Sequence, residues 1–311
     1  MHPPTTSSVP GPPRPDHWAR LLGPELTVLV ASLGSPVRAV APIGRLVSPA
    51  SARAAFRIAL RDGRELKGRR LESVQRCEAL TRIWPLLGDL SFSRGLAHRG
   101  AALLEPWIPG EPLTPAQTTS ARLAEAGDML GRLHCLALPA RLATGHTPLP
   151  ERAMRQLERH LGTLASLGLL SRAQTRALLE RAAEQWPQRL ERGLIHHDFC
   201  AENLIVTGQD ALWAIDNEDM RVGALDADLA RCFLRWQMSI GDREAFLDGY
   251  RRHRSDKPYQ AHARFWSIWT LAGAAEFRAS RRLPANELLA QLRRQPAGPT
   301  SVASRPSAPM R

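Results

Sequence analysis

The sequence is poor in cysteine, in aromatic residues and in long apolar runs, and each shortage excludes something. Cys77, Cys135, Cys200 and Cys232 stand far apart with no CxxC pair among them. That spacing fits neither a disulfide framework nor a zinc module, and points to free thiols in a reducing compartment, with Cys200 the one candidate for reactivity. Aromatics make up 5% of the chain, and neither an aromatic RNA-binding motif nor zinc-finger spacing is present. No segment has the length and apolarity needed to span a bilayer. The first residues lack the basic segment and apolar core of a secretion signal. The expectation is a soluble cytoplasmic protein with no membrane partner. No internal repeat is visible.

What the chain does have is positive charge: 42 Lys and Arg against 30 Asp and Glu give +12 over 311 residues. Such a balance favours an anionic partner, whether nucleotide, nucleic acid or membrane surface, without choosing among them. Arginines are spread through the chain, although the segment from Arg251 to Arg294 is conspicuously basic. The length allows one large domain or two lobes.

Residues 1–15 and 296–311 are rich in Pro and Ser and read as disordered tails. Leu26 to Ala31 is an apolar run compatible with helix or strand. Strand patterns follow at Val37–Pro42, Ala54–Leu60 and Glu65–Arg69, the last two joined by the turn pair Asp62-Gly63. Between the first two strands lies IGRLVSPASAR, either an ordinary connection or a phosphate loop. A phosphate cradle gains from glycines, and only Gly44 is present, so Ser48 and Ser51 are the candidate donors. Strand periodicity puts Lys67 and Arg69 on one face. A helix is expected over Leu71–Trp84, stopped by Pro85, and further strands over Leu90–Ala97 and Ala101–Glu105. The Pro-rich LLEPWIPGEPL then interrupts the pattern. Beyond it the spacing is mainly helical, beginning at Thr114-Pro115 with apolar positions Leu123, Ala126, Met129, Leu130 and Leu133.

The stretch from Leu194 to Glu218 carries the chemistry: LIHHDFCAENLIVTGQDALWAIDNE. Leu204–Val206 and Leu212–Ile215 form a short hairpin pattern around Thr207, Gly208, Gln209 and Asp210. Asp198 and Asn203 precede it and Asp216 follows. Taken singly, each is an ordinary turn former. Together, two carboxylates and an amide at one hairpin can hold a hard cation such as Mg2+, which prefers oxygen ligands.

With His-x-Asp, an Asn five residues after the Asp, and a strand ending in Ile-Asp, this stretch resembles the aminoglycoside phosphotransferase and choline kinase superfamily. The resemblance implies an α+β, bilobal protein-kinase-like fold. A small antiparallel-sheet N-lobe (16–105) would be joined by a linker (106–110) to a mainly helical C-lobe (111–295). It implies that Asp198 is the catalytic aspartate, that Asn203 and Asp216 are Mg2+ ligands, and that His196 organises the loop. Lys67 would face the nucleotide phosphates and pair with Glu78 on the next helix, Glu72 being too close. Backbone groups from Glu105 to Ile108 would meet the adenine edge, with Trp107 beside it. His134, in GRLHCL, is implied to be internal, and Asp228, in Asp-Leu-Ala, to brace the catalytic loop. The chain departs from many relatives in having His197 where they have Gly. His197, Glu218 and Asp219 are candidates for the acceptor site. The implied activity is transfer from ATP, or GTP in its place, with Mg2+, to a hydroxyl of a small molecule such as an aminoglycoside, another amino-alcohol or a sugar. Two other classes remain open: a catalytically silent nucleotide-binding regulator, and a nucleic-acid-associated protein that uses the basic balance.

Overall fold

The alternation in the first third of the chain folds as a sheet, and the helical spacing beyond it as helices. A computed structural model describes residues 15–44, 54–143, 150–236 and 238–295. Apart from Pro15, the two expected tails lie outside the described residues, as do Ser48 and Ser51.

In chain order, helices α1 (Pro15–Leu22) and α2 (Pro24–Ala31) precede strands β1 (Val37–Pro42), β2 (Ala54–Leu60) and β3 (Glu65–Arg70). Helix α3 (Val74–Ile83) and strands β4 (Ala97–Arg99), β5 (Ala102–Pro106) and β6 (Glu111–Pro112) follow. Helices α4 (Ser120–His134), α5 (Ala140–Ala143), α6 (Pro150–Ser166) and α7 (Arg172–Ala183) lead to strands β7 (Arg192–Ile195), β8 (Leu204–Val206), β9 (Leu212–Ala214) and β10 (Arg221–Ala224). Helices α8 (Leu225–Trp236), α9 (Ile240–Arg251), α10 (Lys257–Ala261), α11 (Ala263–Ser280) and α12 (Asn286–Arg293) complete the described chain. The class is α+β, as expected.

The chain divides into two compact units, residues 1–112 with 204–220, and residues 113–203 with 221–311. The first is built on an antiparallel sheet in the order β1-β2-β3-β5-β4. One face of that sheet buries Phe56, Ile58, Leu60, Leu66 and Leu104 against Leu26, Leu29 and Val30 of α2. The ambiguous apolar run is therefore a helix. Gly68 is the price of its close approach: a Cβ there would meet Ile58 Cδ1 at 2.7 Å and Leu26 Cδ2 at 3.3 Å. With Leu66 and Gly68 committed to that side, the period of two turns Lys67 and Arg69 to the other face.

Two expectations change. Of the strand expected over Leu90–Ala97 only Ala97 belongs to one, at the start of β4; Phe92 forms an isolated bridge with Ala214, and Ser93 N–H donates to Ala214 O at 2.8 Å. These residues serve the β8–β9 hairpin instead of extending β4. Helix α3 begins at Val74 and not at Leu71, because the Ser73 side chain accepts from Arg76 N at 3.3 Å and caps it. The hairpin itself joins β6 to make a three-stranded sheet, with Glu111 opposite Val206 and Pro112 opposite Ile205. Gly110, at φ 143°, allows this approach, since a Cβ there would lie 2.2 Å from Val206 O.

The second unit is mainly helical. Helices α4 and α9 cross at reciprocal glycines: a Cβ on Gly127 would stand 1.8 Å from Phe246 O, and one on Gly249 1.8 Å from Ala124 O. Small residues let the two backbones touch, and the contact sets Tyr250 against α4. Strands β7 and β10 pair antiparallel, with Ile195 opposite Arg221, so the residues following β7 emerge at a fixed place. Among the described residues no helix is long and apolar enough to cross a membrane.

Candidate active site

In the second unit, the loop after β7 is held from below by one buried carboxylate. Asp228 on α8 is 1% exposed. It accepts from His196 N at 2.9 Å, from His197 N at 2.7 Å and from His134 Nε2 at 3.1 Å. His134 Nδ1 lies 2.9 Å from the Tyr250 hydroxyl. With Asp228 as an acceptor, the ring is the Nε2–H tautomer and Nδ1 receives the tyrosine proton. Burial pushes the Tyr250 phenol up, so it stays a donor. A chain of bonds thus runs from α9 through α4 and α8 to two consecutive loop amides.

Above this brace the loop turns sharply. His197 adopts φ 71°, a left-handed conformation that costs a non-glycine residue about 1 kcal/mol. Its carbonyl accepts from Arg231 Nε at 2.7 Å, and Arg221 Nη2 lies 2.9 Å from its Nε2. A glycine would adopt this positive φ without that cost. His196, fully buried, accepts from Asp198 N at 3.3 Å through Nδ1 and packs edge-on against Phe199 at 5.5 Å. Asp198 is left partly exposed at the loop surface. Asn203 Nδ2 donates to Asp198 O at 2.9 Å and to Asp198 Oδ2 at 3.2 Å. Arg235 Nε lies 3.0 Å from Asp198 Oδ1. Because its nitrogen is spent on Asp198, the Asn203 amide keeps its oxygen for another partner, the end a hard cation takes.

In the first unit, Asp216 follows β9 in a left-handed turn at φ 58°. Its Oδ1 receives Lys67 Nζ and lies 3.3 Å from Arg69 Nη1. Arg69, nearly buried, also pairs with Glu218 and stands 3.8 Å from Glu105 Oε2. Two cations thus face three carboxylates, an excess of negative charge that suits an arriving divalent cation. Asn217 Nδ2 donates to Ser93 O at 2.6 Å and anchors the turn. Among the described residues no three His, Cys, Asp or Glu gather as a metal cluster. The proposed set differs in kind, since Mg2+ is commonly held by one or two carboxylates together with water and substrate phosphates.

Other expected residues fall elsewhere. Glu78 lies on the outer face of α3, half-exposed, in an i,i+4 pair with Arg82 at 3.9 Å, and does not meet Lys67. The α3 side chain that reaches the Asp216 turn is basic: Arg76 pairs with Asp219. Trp107 carries the Arg57 guanidinium over its ring at 4.5 Å, and its N–H is taken by Glu65 O at 3.1 Å. Of the linker amides between Glu105 and Ile108, the Trp107 N–H is therefore committed to the sheet. Arg69 and Arg235 are the residues that sequence reasoning passed over as site members. For Arg69 the signal was its shared strand phase with Lys67; for Arg235 there was none.

A family model described as "Phosphotransferase enzyme family" matches residues 45–266. The chain belongs to that family. Solved structures share its fold. The macrolide 2'-phosphotransferase MphH from Brachybacterium faecium superposes with a TM-score of 0.63 at 17% identity, over 88% of this chain and 98% of that one. Choline kinase LicA from Streptococcus pneumoniae gives 0.64 at 14%, over 87% and 96%. The aminoglycoside phosphotransferase APH(2'')-Ib with ADP bound gives 0.64 at 13%, over 87% and 97%. At these identities the likeness is one of fold, the protein-kinase-like arrangement expected from the motifs. No curated protein matches the sequence.

Two carboxylates of this family member, both on α8, are driven in opposite directions. Burial alone would raise Asp228, but the His134 hydrogen bond and the other histidines beside it outweigh it and hold the carboxyl at about 2. On Asp226 burial, with the nearby charge of Glu191 added to it, outweighs the lowering influence of Trp266 and Arg254, and the carboxyl rises to about 6. A carboxyl whose pKa is raised by folding stabilises the fold below its unfolded value near 3.8 and loses that contribution as pH climbs through about 6. Asp226→Asn is therefore expected to stabilise the protein at pH 7.5 by up to ~3 kcal/mol. The gain should vanish below pH ~4. Urea unfolding at the two pH values checks this. Cys200 is buried, and burial together with the Asp198 charge pushes its thiol up, away from the reactive thiolate.

Proposed function

We propose that the chain is a Mg2+-dependent phosphotransferase that moves the γ-phosphoryl group of ATP, or of GTP, to a hydroxyl of a small molecule. The observation that carries this reading is the Asp198 carboxylate. It is the polar end of a loop whose backbone is tied down by Asp228, it is partly exposed, and it is oriented by the Asn203 amide. An aspartate so fixed can accept the proton of an incoming hydroxyl and aim its oxygen in line. Asn203 and Asp216 are the proposed ligands of Mg2+, with Lys67 and Arg69 moving from Asp216 to the nucleotide phosphates. Bound there, the cation offsets charge on the transferring group. Backbone groups between Glu105 and Ile108 would meet the base. Within this chemistry His196, His134 and Asp228 are supports and touch no substrate.

The names of the fold neighbours bring aminoglycoside, macrolide and choline as acceptor classes to test. The Arg235 guanidinium, 3.0 Å from the residue that would take the acceptor proton, disfavours an ammonium next to the reacting hydroxyl. A sugar or polyol hydroxyl fits that position better. His197, Glu218 and Asp219 remain candidates for acceptor contacts.

The test is ATP consumption across a panel of hydroxylated metabolites and antibiotics, with the product identified by mass. Asp216→Ala should weaken Mg2+-dependent nucleotide binding at least ~10-fold by calorimetry. Salt-sensitive binding of RNA or DNA with no ATP dependence would instead support the nucleic-acid reading.

A further inference from the structure

Lys67 lacks the acid expected to hold it. Glu78 points outward to Arg82, and α3 presents Arg76 toward the Asp216 turn. Lys67 and Arg69 meet Asp216 instead, the residue whose oxygens would be claimed by Mg2+. Once those oxygens are taken, Lys67 needs another anchor, whereas Arg69 keeps its pair with Glu218.

The structure places one within reach. Strands β3 and β5 pair antiparallel with Lys67 directly opposite Glu105. Residues facing each other in this way have Cβ atoms about 5 Å apart and share one face of the sheet. The Glu105 side chain is 4% exposed. Its Oε2 has no hydrogen-bond partner among the described residues, although Arg69 Nη1 stands 3.8 Å away. A buried carboxylate oxygen without a donor is costly, and such an atom in a native fold calls for a reason. Lys67 is the basic residue directly in register, and the Arg69 guanidinium, two residues along β3, is the cation already closest to it.

We propose that Glu105 positions Lys67 and Arg69 on the nucleotide phosphates, the part played in protein kinases by a glutamate on the helix after β3. The acid comes from the neighbouring strand and not from α3. Lys67 rests on Asp216; when Asp216 turns to the metal, Lys67 shifts to the Glu105 oxygen that has no donor. No bond is made or broken in the exchange, only ion pairs. Glu105 is a positioning residue, since it touches the cations and not the phosphates. The inference rests on the nucleotide-binding reading above and gives the Glu105 side chain a task separate from that of its backbone near the base.

Calorimetric titration of the full chain with Mg·ATP and, separately, with adenosine tests it. For Glu105→Gln the expected result is a loss of Mg·ATP affinity of about 10-fold or more, with adenosine affinity within about 2-fold of wild type. Glu78→Gln should bind both as wild type does. A purely structural role for Glu105 would weaken both ligands together, and that result overturns the proposal. So does a Glu105→Gln chain that binds Mg·ATP normally. Should Glu105→Gln fail to fold, Glu105→Asp carries the test: it keeps the charge but withdraws it, and an ATP-selective loss of about 3-fold or more is expected, with no selective loss counting against the idea. If the wild-type chain binds no Mg·ATP, the nucleotide reading falls and this inference with it. If wild type binds and only the Glu105 result fails, the nucleotide reading stands.

Discussion

Asp198→Ala is expected to reduce acceptor phosphorylation by about 10²–10⁴-fold, the range that general-base residues supply. Mg·ATP affinity should change far less, because Lys67, Asp216 and the linker backbone are untouched and Asn203 keeps its bond to the Asp198 carbonyl. The measurement is the initial rate of phosphorylated product at saturating nucleotide, beside a calorimetric titration on the same preparation. Intact turnover would remove Asp198 from its proposed role. The geometry gives the variant a control. Arg235 Nε, 3.0 Å from Asp198 Oδ1, is the ion partner of that carboxylate on α8. Its guanidinium is 41% exposed, so the pair is worth little to stability. Loss of activity in Asp198→Ala without a matching fall in unfolding free energy therefore separates chemistry from folding.

How much of this was legible in the sequence depends on distance along the chain. Asp198, Asn203 and Asp216 could be proposed as one set because a single hairpin separates Asn203 from Asp216. Strand phase also set Lys67 and Arg69 on one face, and composition adds a signal: Lys67 and Lys257 are the only lysines in the chain. The acid opposite Lys67 could not be read in this way. Glu78 is near in sequence but is turned away by the helical phase of α3, whereas Glu105 depends on the register of β3 against β5. His134 was expected to be internal from its motif, yet its partners Asp228 and Tyr250 lie 94 and 116 residues away. Only the close crossing of α4 and α9 at Gly127 and Gly249 brings the tyrosine to it. The left-handed turn at His197 could not be read from the residue type, since it appears only in the φ angle.

The brace beneath the loop leads to the second large effect. Asp228→Asn is expected to cost about 3 kcal/mol or more in urea unfolding, the range for hydrogen bonds to a charged group. It should also lower the rate of transfer more than it weakens nucleotide binding. The carboxylate accepts three N–H groups, from His196, His197 and His134. An asparagine of the same shape offers one oxygen and turns an NH2 toward a remaining donor, so at least one buried N–H loses its acceptor. The sign of the pH dependence follows from the same environment. A carboxyl depressed to about 2 contributes stability that is complete above its unfolded value near 3.8 and is lost as pH falls through about 2. Wild type and Asp228→Asn should therefore differ most at neutral pH and converge only in strong acid. Tyr250→Phe removes the far end of the chain, leaving His134 Nδ1 without its donor. Because both changes act through His134, their costs should not add. A double variant as stable as the sum of the single losses predicts would mean that Tyr250 and Asp228 act separately, and that the loop is braced by Asp228 alone.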